Sequence, residues 1–243
     1  MSTVLRLAML ISGGGTTAAA IIKACRDGLL SGIEPVLVIA SKQNINGIER
    51  VKNLGIPEKD ILVIAPKQFP TSEKFGETII KACRQKNVDI VGQYGWLCKT
   101  PVNVIEAFRD RMINQHPGPL DPGRPDFGGP GMYGRRVHAA RLCFVRKVNR
   151  DFWTEASAQK VAPEYDEGKV IKTNRVEILP GDTVESLQFR LLPVEYETQI
   201  AALKDFMENK VQVIQRHNPL IFPGEEKILE ECKLEAIKKY PLG

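Results

Sequence analysis

The sequence predicts an α/β protein whose sheet is mixed, mostly parallel and flanked by helices, and three observations predict it. From Leu5 to Gln93, short apolar runs alternate with segments of helical spacing, the pattern of parallel strands covered on both faces by crossover helices. Beyond Gly134 that alternation gives way to closely spaced runs that read as antiparallel strands, which makes the sheet mixed. The chain has 243 residues, 43% of them hydrophobic, enough to bury a large core near the upper size of one domain.

Leu5 to Ile11 reads as a buried strand, and Ser12 to Gly15 interrupt it. Thr16 to Arg26 then carries helical spacing through Ala20, Ile21, Ala24 and Cys25. Pro35 to Ala40 is the next strand, Ile45 to Leu54 a helix stopped by Gly55, Ile61 to Ala65 a short strand, Ser72 to Lys86 a helix and Val88 to Gln93 a strand. Arg111 to Asn114 is a strand running into Asn114-Gln115-His116-Pro117. Two polar side chains therefore stand at the carboxyl edge of the sheet, where open α/β sheets bind ligands. Gly118 to Gly134 is so rich in Gly and Pro that it excludes regular structure and predicts a long loop, of a length that is functional or else disordered. Arg141 to Val148, Thr154 to Val161 and Lys169 to Ile178 read as antiparallel strands, and Thr183 to Glu208 as one or two helices. A short helix is expected near Glu225 to Tyr240. The expected organisation is a main domain over 1–210 and an extension over 211–243 packed on it.

The formal net charge of +5 is spread among acidic residues, which suits small anionic ligands and not nucleic acid. The five cysteines, Cys25, Cys83, Cys98, Cys143 and Cys232, are odd in number and hold no CxxC pair. Neither a disulfide framework nor a metal site is expected, and a reducing cytoplasm is. The segment Met1 to Ile11 lacks the length and cleavage site of a signal peptide, and no apolar run approaches membrane-spanning length. A soluble protein with no membrane partner is the expectation.

Three constellations carry possible chemistry. Gly13, Gly14, Gly15, Thr16 and Thr17 lie between a strand and a helix start, where free N–H groups and the helix dipole favour a phosphate; a tight structural turn is the alternative. The spacing fits neither the dinucleotide fingerprint nor the nucleoside triphosphate loop. Asn114 and His116, with Asp166 downstream, supply an amide, an imidazole and a carboxylate. That set can polarise a carbonyl, hold an oxyanion and move a proton, with Asp166 raising the histidine's pKa. A strand-end turn and an ordinary turn aspartate are the alternative. Glu195 lies on a helix and suits sugar hydroxyls or an amine, or else a solvated face. Trp96 follows a strand and fits either an apolar slot for a flat ring or the core.

In this order the segments resemble the glycinamide ribonucleotide formyltransferase family, folate-dependent enzymes of purine synthesis with a Rossmann-like fold, from about Leu5 to about Met207. The family's I-S-G-x-G-S-N is matched by Ile11 to Thr17, its N-x-H-P by Asn114 to Pro117, and its D-G-G-x-V-I by Asp166 to Ile171. The resemblance implies a catalytic Asn114, His116 and Asp166, phosphate binding at Gly13 to Thr17, and ribose binding at Glu195. It implies folate contacts at Trp96, Leu97, Cys98, Lys99 and Thr100, similar to the family's G-F-M-R-I-L, and at Ala162 and Glu164 ahead of Asp166.

Three departures stand out. The family's short segment after the histidine is replaced by the longer Pro117 to Gly134. Its T-S-V-H is Ala156-Ser157-Ala158-Gln159 here, and the first glycine of D-G-G is Glu167. The expected activity is formyl transfer from 10-formyltetrahydrofolate to the amine of glycinamide ribonucleotide, without a metal, by a monomer or homodimer. The alternatives are an amino sugar nucleotide as acceptor, a hydrolase passing the formyl group to water, and a binding module without turnover.

Overall fold

The computed structural model describes residues 4–121 and 124–243; Pro122 and Gly123 of the long loop lie outside the described residues. The chain divides into two compact units. The first is Met1–Gln115 with Gln199–Val211, and the second His116–Thr198 with Gln212–Gly243.

The first unit follows the sequence closely. Strand β1 (Leu5–Ile11) leads to α1 (Thr16–Arg26), β2 (Ile33–Ala40), α2 (Asn46–Asn53), β3 (Ile61–Val63), α3 (Ser72–Gln85), β4 (Ile90–Gln93), α4 (Val102–Ala107) and β5 (Met112–His116). The strands lie in the order β3-β2-β1-β4-β5 and all pair in parallel. Leu7 to Ile11 of the central β1 are wholly buried, so this strand reads as an unbroken apolar run rather than an alternating one. Each such Leu or Ile side chain contributes roughly 1.5–3 kcal/mol relative to exposure. Helix α1 covers the sheet with Ala18, Ile21, Ile22 and Ala24, while Lys23 faces outward. Register places Ile11 beside Ala40, Leu10 beside Gln93 and Gln93 beside Asn114. Ser12, Ser41, Tyr94 and Asn114 thus gather at one carboxyl edge.

The second unit contains α5 (Arg135–Val148), β6 (Trp153–Lys160), β7 (Val170–Glu177), α6 (Val184–Met207, whose last turns belong to the first unit) and α7 (Glu226–Lys239). Strands β6 and β7 are antiparallel, with the register shifting between Ala158 and Gln159. Five parallel strands and one antiparallel pair make the mixed, mostly parallel α/β class that the sequence predicts.

Two expectations are overturned. Arg141 to Val148 is not a strand but the greater part of α5. The apolar run Leu142-Cys143-Phe144-Val145 imitates a strand, but Val137, Ala140 and Phe144 recur at helical spacing and enter one buried cluster, while Leu142 and Val145 enter another. The cysteines are not all free either, because Cys143 of α5 and Cys232 of α7 form a disulfide with a Cα–Cα separation of 5.6 Å. The two lie 89 residues apart, and helix packing rather than motif spacing brings them together.

Candidate active site

In the first unit the glycine loop lies at the carboxyl end of the central strand β1. Gly15 caps α1 with φ 63°, a left-handed conformation that favours glycine, and no side chain caps the helix. A side chain at Gly15 would also meet Cα of Gly47 at 2.8 Å. Gly13 and Gly14 are exposed, and a Cβ added to Gly13 would meet nothing within 4 Å. The α1 amides therefore open onto a loop with room for an anion. Arg50 of α2 donates from Nε to the Gly14 carbonyl at 2.8 Å, bringing a guanidinium to the loop. Sequence reasoning missed Arg50 because only the fold places α2 there.

Ser12 ties this loop to the next one. Its Oγ accepts from Ser41 Oγ at 2.8 Å and from the Leu97 amide at 2.9 Å, and its own amide donates to the Gly95 carbonyl at 3.0 Å. Of the expected folate residues on this loop, Trp96 is buried and stacked on Phe75 with centroids 6.4 Å apart. Leu97 is the exposed apolar group, Cys98 is half-buried, and Thr100 is buried and accepts from Gln93 Nε2. Lys99 is exposed. Leu97 is thus the apolar side chain that this loop exposes, while Trp96 belongs to the core.

Asn114 and His116 are two residues apart on β5, so their side chains share one face. The strand extends through His116 and does not stop at Asn114. Asn114 is half-buried and His116 is buried.

The second unit brings His116 and Asp166 together, with Nδ1 3.6 Å from Oδ1. Asp166 adopts φ 60°, a conformation that Asp tolerates better than most residues. Gln159 Nε2 donates to its Oδ1 at 2.7 Å, and the Gly129 amide donates to its Oδ2 at 2.9 Å. The long loop is thus a holder of the aspartate. A Cβ on Gly128 would fall 2.6 Å from the Asp166 Cβ, and one on Gly168 would fall 1.6 Å from the Lys160 carbonyl oxygen. Only glycine fits at either place. The β6–β7 register shifts beside Gln159, whose pairing partner is Val170 with Ile171 passed over, and the Gln159 side chain reaches Asp166.

Burial holds the His116 pKa below its ordinary value, outweighing the nearby Asp166 carboxylate and the Phe127 carbonyl, which accepts from the ring. The sequence-based expectation of a raised value is therefore reversed: the carboxylate does pull upward, but desolvation is the larger effect. His116 Nε2 is buried with no protein partner among the described residues and lies beside Gly118, where even a methyl group would come within 3.4 Å of it. Ser157 Oγ donates to the Gly118 carbonyl at 2.8 Å and fixes that turn. His138 of α5, which sequence reasoning passed over, is also buried, and its pKa is pushed down to about 4 by burial and then by the charge of His116.

Glu195 on α6 is 5% exposed, which removes the solvated-face alternative for it. Ala162 is half-buried and Glu164 exposed in the turn ahead of Asp166.

The family model described as formyl transferase matches residues 5–203. A chloroplastic phosphoribosylglycinamide formyltransferase of Arabidopsis thaliana is 30% identical over 89% of this chain and 70% of its own length. A phosphoribosylglycinamide formyltransferase of Dictyostelium discoideum is 31% identical over 82% of this chain and 96% of its own. The chain belongs to the phosphoribosylglycinamide formyltransferase family. Among solved structures of this family, glycinamide ribonucleotide transformylase 1 from Symbiobacterium toebii is similar with a TM-score of 0.75 and 27% identity, over 88% of this chain and 92% of that one. The match to the formyltransferase model stops short of residues 212–243, which the second unit nonetheless includes.

Proposed function

We propose that this formyltransferase moves the formyl group of 10-formyltetrahydrofolate onto the primary amine of glycinamide ribonucleotide, with Asn114, His116 and Asp166 as the reacting set. The pair formed by His116 and Asp166 carries the proposal, because a buried imidazole with an open Nε2 and a carboxylate beside Nδ1 is equipped to take up and return one proton.

Held neutral by burial, His116 accepts through Nε2 the proton that the attacking amine loses as its nitrogen bonds to the formyl carbon. Asp166 stabilises the imidazolium so formed. The Asn114 amide and the imidazolium N–H donate to the oxyanion on that carbon. His116 then returns the proton to the departing folate nitrogen as the carbon–nitrogen bond breaks, and the site is restored. No metal takes part in these steps.

Gly13, Gly14, Gly15, Thr16 and Thr17, with the α1 amides and Arg50, bind the acceptor's phosphate, and Glu195 binds its ribose. Leu97, Cys98, Lys99 and Thr100, over Trp96, take the folate with Ala162 and Glu164. The glycine loop favours a small phosphorylated amine over water or an amino sugar nucleotide as acceptor. Among the described residues no helix is long and apolar enough to cross a membrane.

The acceptor is tested by incubating the protein and 10-formyltetrahydrofolate with glycinamide ribonucleotide or with an amino sugar nucleotide, and weighing the products by mass spectrometry. Formylation of the amino sugar alone, or formate without a formylated amine, would overturn this assignment.

A further inference from the structure

Residues 212–243 reach the catalytic pair through the long loop. At the start of the loop, Arg216 donates from Nε to the Leu120 carbonyl at 2.8 Å and pairs with Asp121 at 3.1 Å and with the wholly buried Glu155. The Leu220 amide donates to Asp121 Oδ2 at 3.0 Å. At its end Arg136, 8% exposed, donates from Nη1 to the Gly131 carbonyl at 2.8 Å, from Nε to that of Tyr240 at 2.7 Å and from Nη2 to that of Pro241 at 2.8 Å. Its guanidinium also lies 4.5 Å from the centre of the Tyr133 ring. Between these anchors Phe127 and Met132 share one apolar cluster with Leu220, Ile221, Leu229 and Ala236. The Cys143–Cys232 disulfide fixes α7 to α5 at the same cluster.

We propose that residues 212–243 are a brace for the reacting pair: through Arg136, Arg216 and the disulfide they hold the loop in the form that presents the Phe127 carbonyl to His116 and the Gly129 amide to Asp166. Arg136 is on this account a positioning residue. It touches neither reacting side chain, and its effect on turnover rests on the formyl transfer proposed at His116. Misplacing a reacting group by about 1 Å can slow a step roughly 100-fold, so a loosened loop lowers kcat while the binding loops and KM stay as they were. His116 is acted on by the charges of Asp166, which raises its pKa, and of Lys233 of α7, which lowers it, and it lies near His138 of α5. With the loop loosened, water reaches it, and removal of the burial that depresses its pKa moves the acid limb of the pH profile upward toward 6.5.

The test uses the full chain in two forms, Arg136→Met and the unmodified protein treated with dithiothreitol. In the second form one disulfide and one dithiol become two cysteine thiols and the cyclic oxidised reagent, two electrons and two protons passing to the sulfurs. Amide hydrogen exchange over residues 124–134 is expected to quicken about 10-fold in both forms, with kcat down roughly 10-fold or more, KM within about twofold and the acid limb raised. Unchanged exchange and unchanged kcat would overturn the brace. A loss of kcat with an unmoved acid limb and a protected loop would reduce Arg136 to a purely structural role and overturn it equally. If Arg136→Met does not fold, the reduced protein decides by the same outcomes. If the unmodified protein forms no product, the transfer proposal fails on its own, and loop exchange still decides the brace.

Discussion

Gln159 donates to Oδ1 of Asp166 at 2.7 Å, and the same oxygen lies 3.6 Å from Nδ1 of His116. The glutamine stands where the family's second histidine is expected. An amide can hold the carboxylate without ever taking its proton, so Gln159 fixes the aspartate without competing with His116 for charge. Replacing it with Leu removes a hydrogen bond to a charged group, about 2 kcal/mol, and kcat is expected to fall roughly 30-fold with KM for both substrates unchanged. Steady-state kinetics of Gln159→Leu check this. An unaltered kcat would show that the Gly129 amide alone suffices.

The glycines of the two loops should respond in opposite ways. A methyl group at Gly128 would displace Asp166, whose Oδ2 it would approach to 2.7 Å, whereas one at Gly13 enters open space. Gly128→Ala is therefore expected to lower kcat, and Gly13→Ala to leave the melting temperature alone and raise KM for the ribonucleotide. Calorimetry and initial rates on the two variants separate these effects.

Gly168 makes a third, purely structural case. Its Cβ would lie 1.6 Å from the Lys160 carbonyl oxygen, a backbone clash that no rotamer relieves. Gly168→Ala is expected to cost about 3 kcal/mol of stability by urea unfolding, although Glu167 beside it is exposed and should be freely replaceable.

His138 predicts a pH dependence of stability. Its folded pKa of about 4 lies below the ordinary value of 6.5, so the unfolded chain binds the extra proton first as pH falls. Its contribution is fully present above 6.5 and is lost progressively between 6.5 and about 4, amounting to about 3 kcal/mol. His138→Phe should flatten that part of the stability curve. An equally steep curve in the variant would assign the loss to other groups, His116 included.

Much of this could be read in the sequence. The strands and helices from Leu5 to Gln93, the glycine loop and the placing of Asn114 and His116 follow from local apolar period and from turn residues, which act over a few positions. The strand expected at Arg141 to Val148 failed because four adjacent apolar residues fit both periods, and only the facing cluster of Phe127, Leu229 and Ala236 selects the helix. The state of His116 was misjudged because a charge partner is visible as a residue type while burial is not. The disulfide, Arg50 and the anchoring of loop 118–134 join positions far apart in the chain, and no spacing rule connects them.

The most direct test of the central claim compares the unmodified protein with His116→Ala, supplying 10-formyltetrahydrofolate and glycinamide ribonucleotide and detecting the product by mass spectrometry. A formylated ribonucleotide from the unmodified protein alone, with both proteins equally folded, is the expected result. Product formed at equal rates by both would contradict the assignment of His116 as the group that carries the proton.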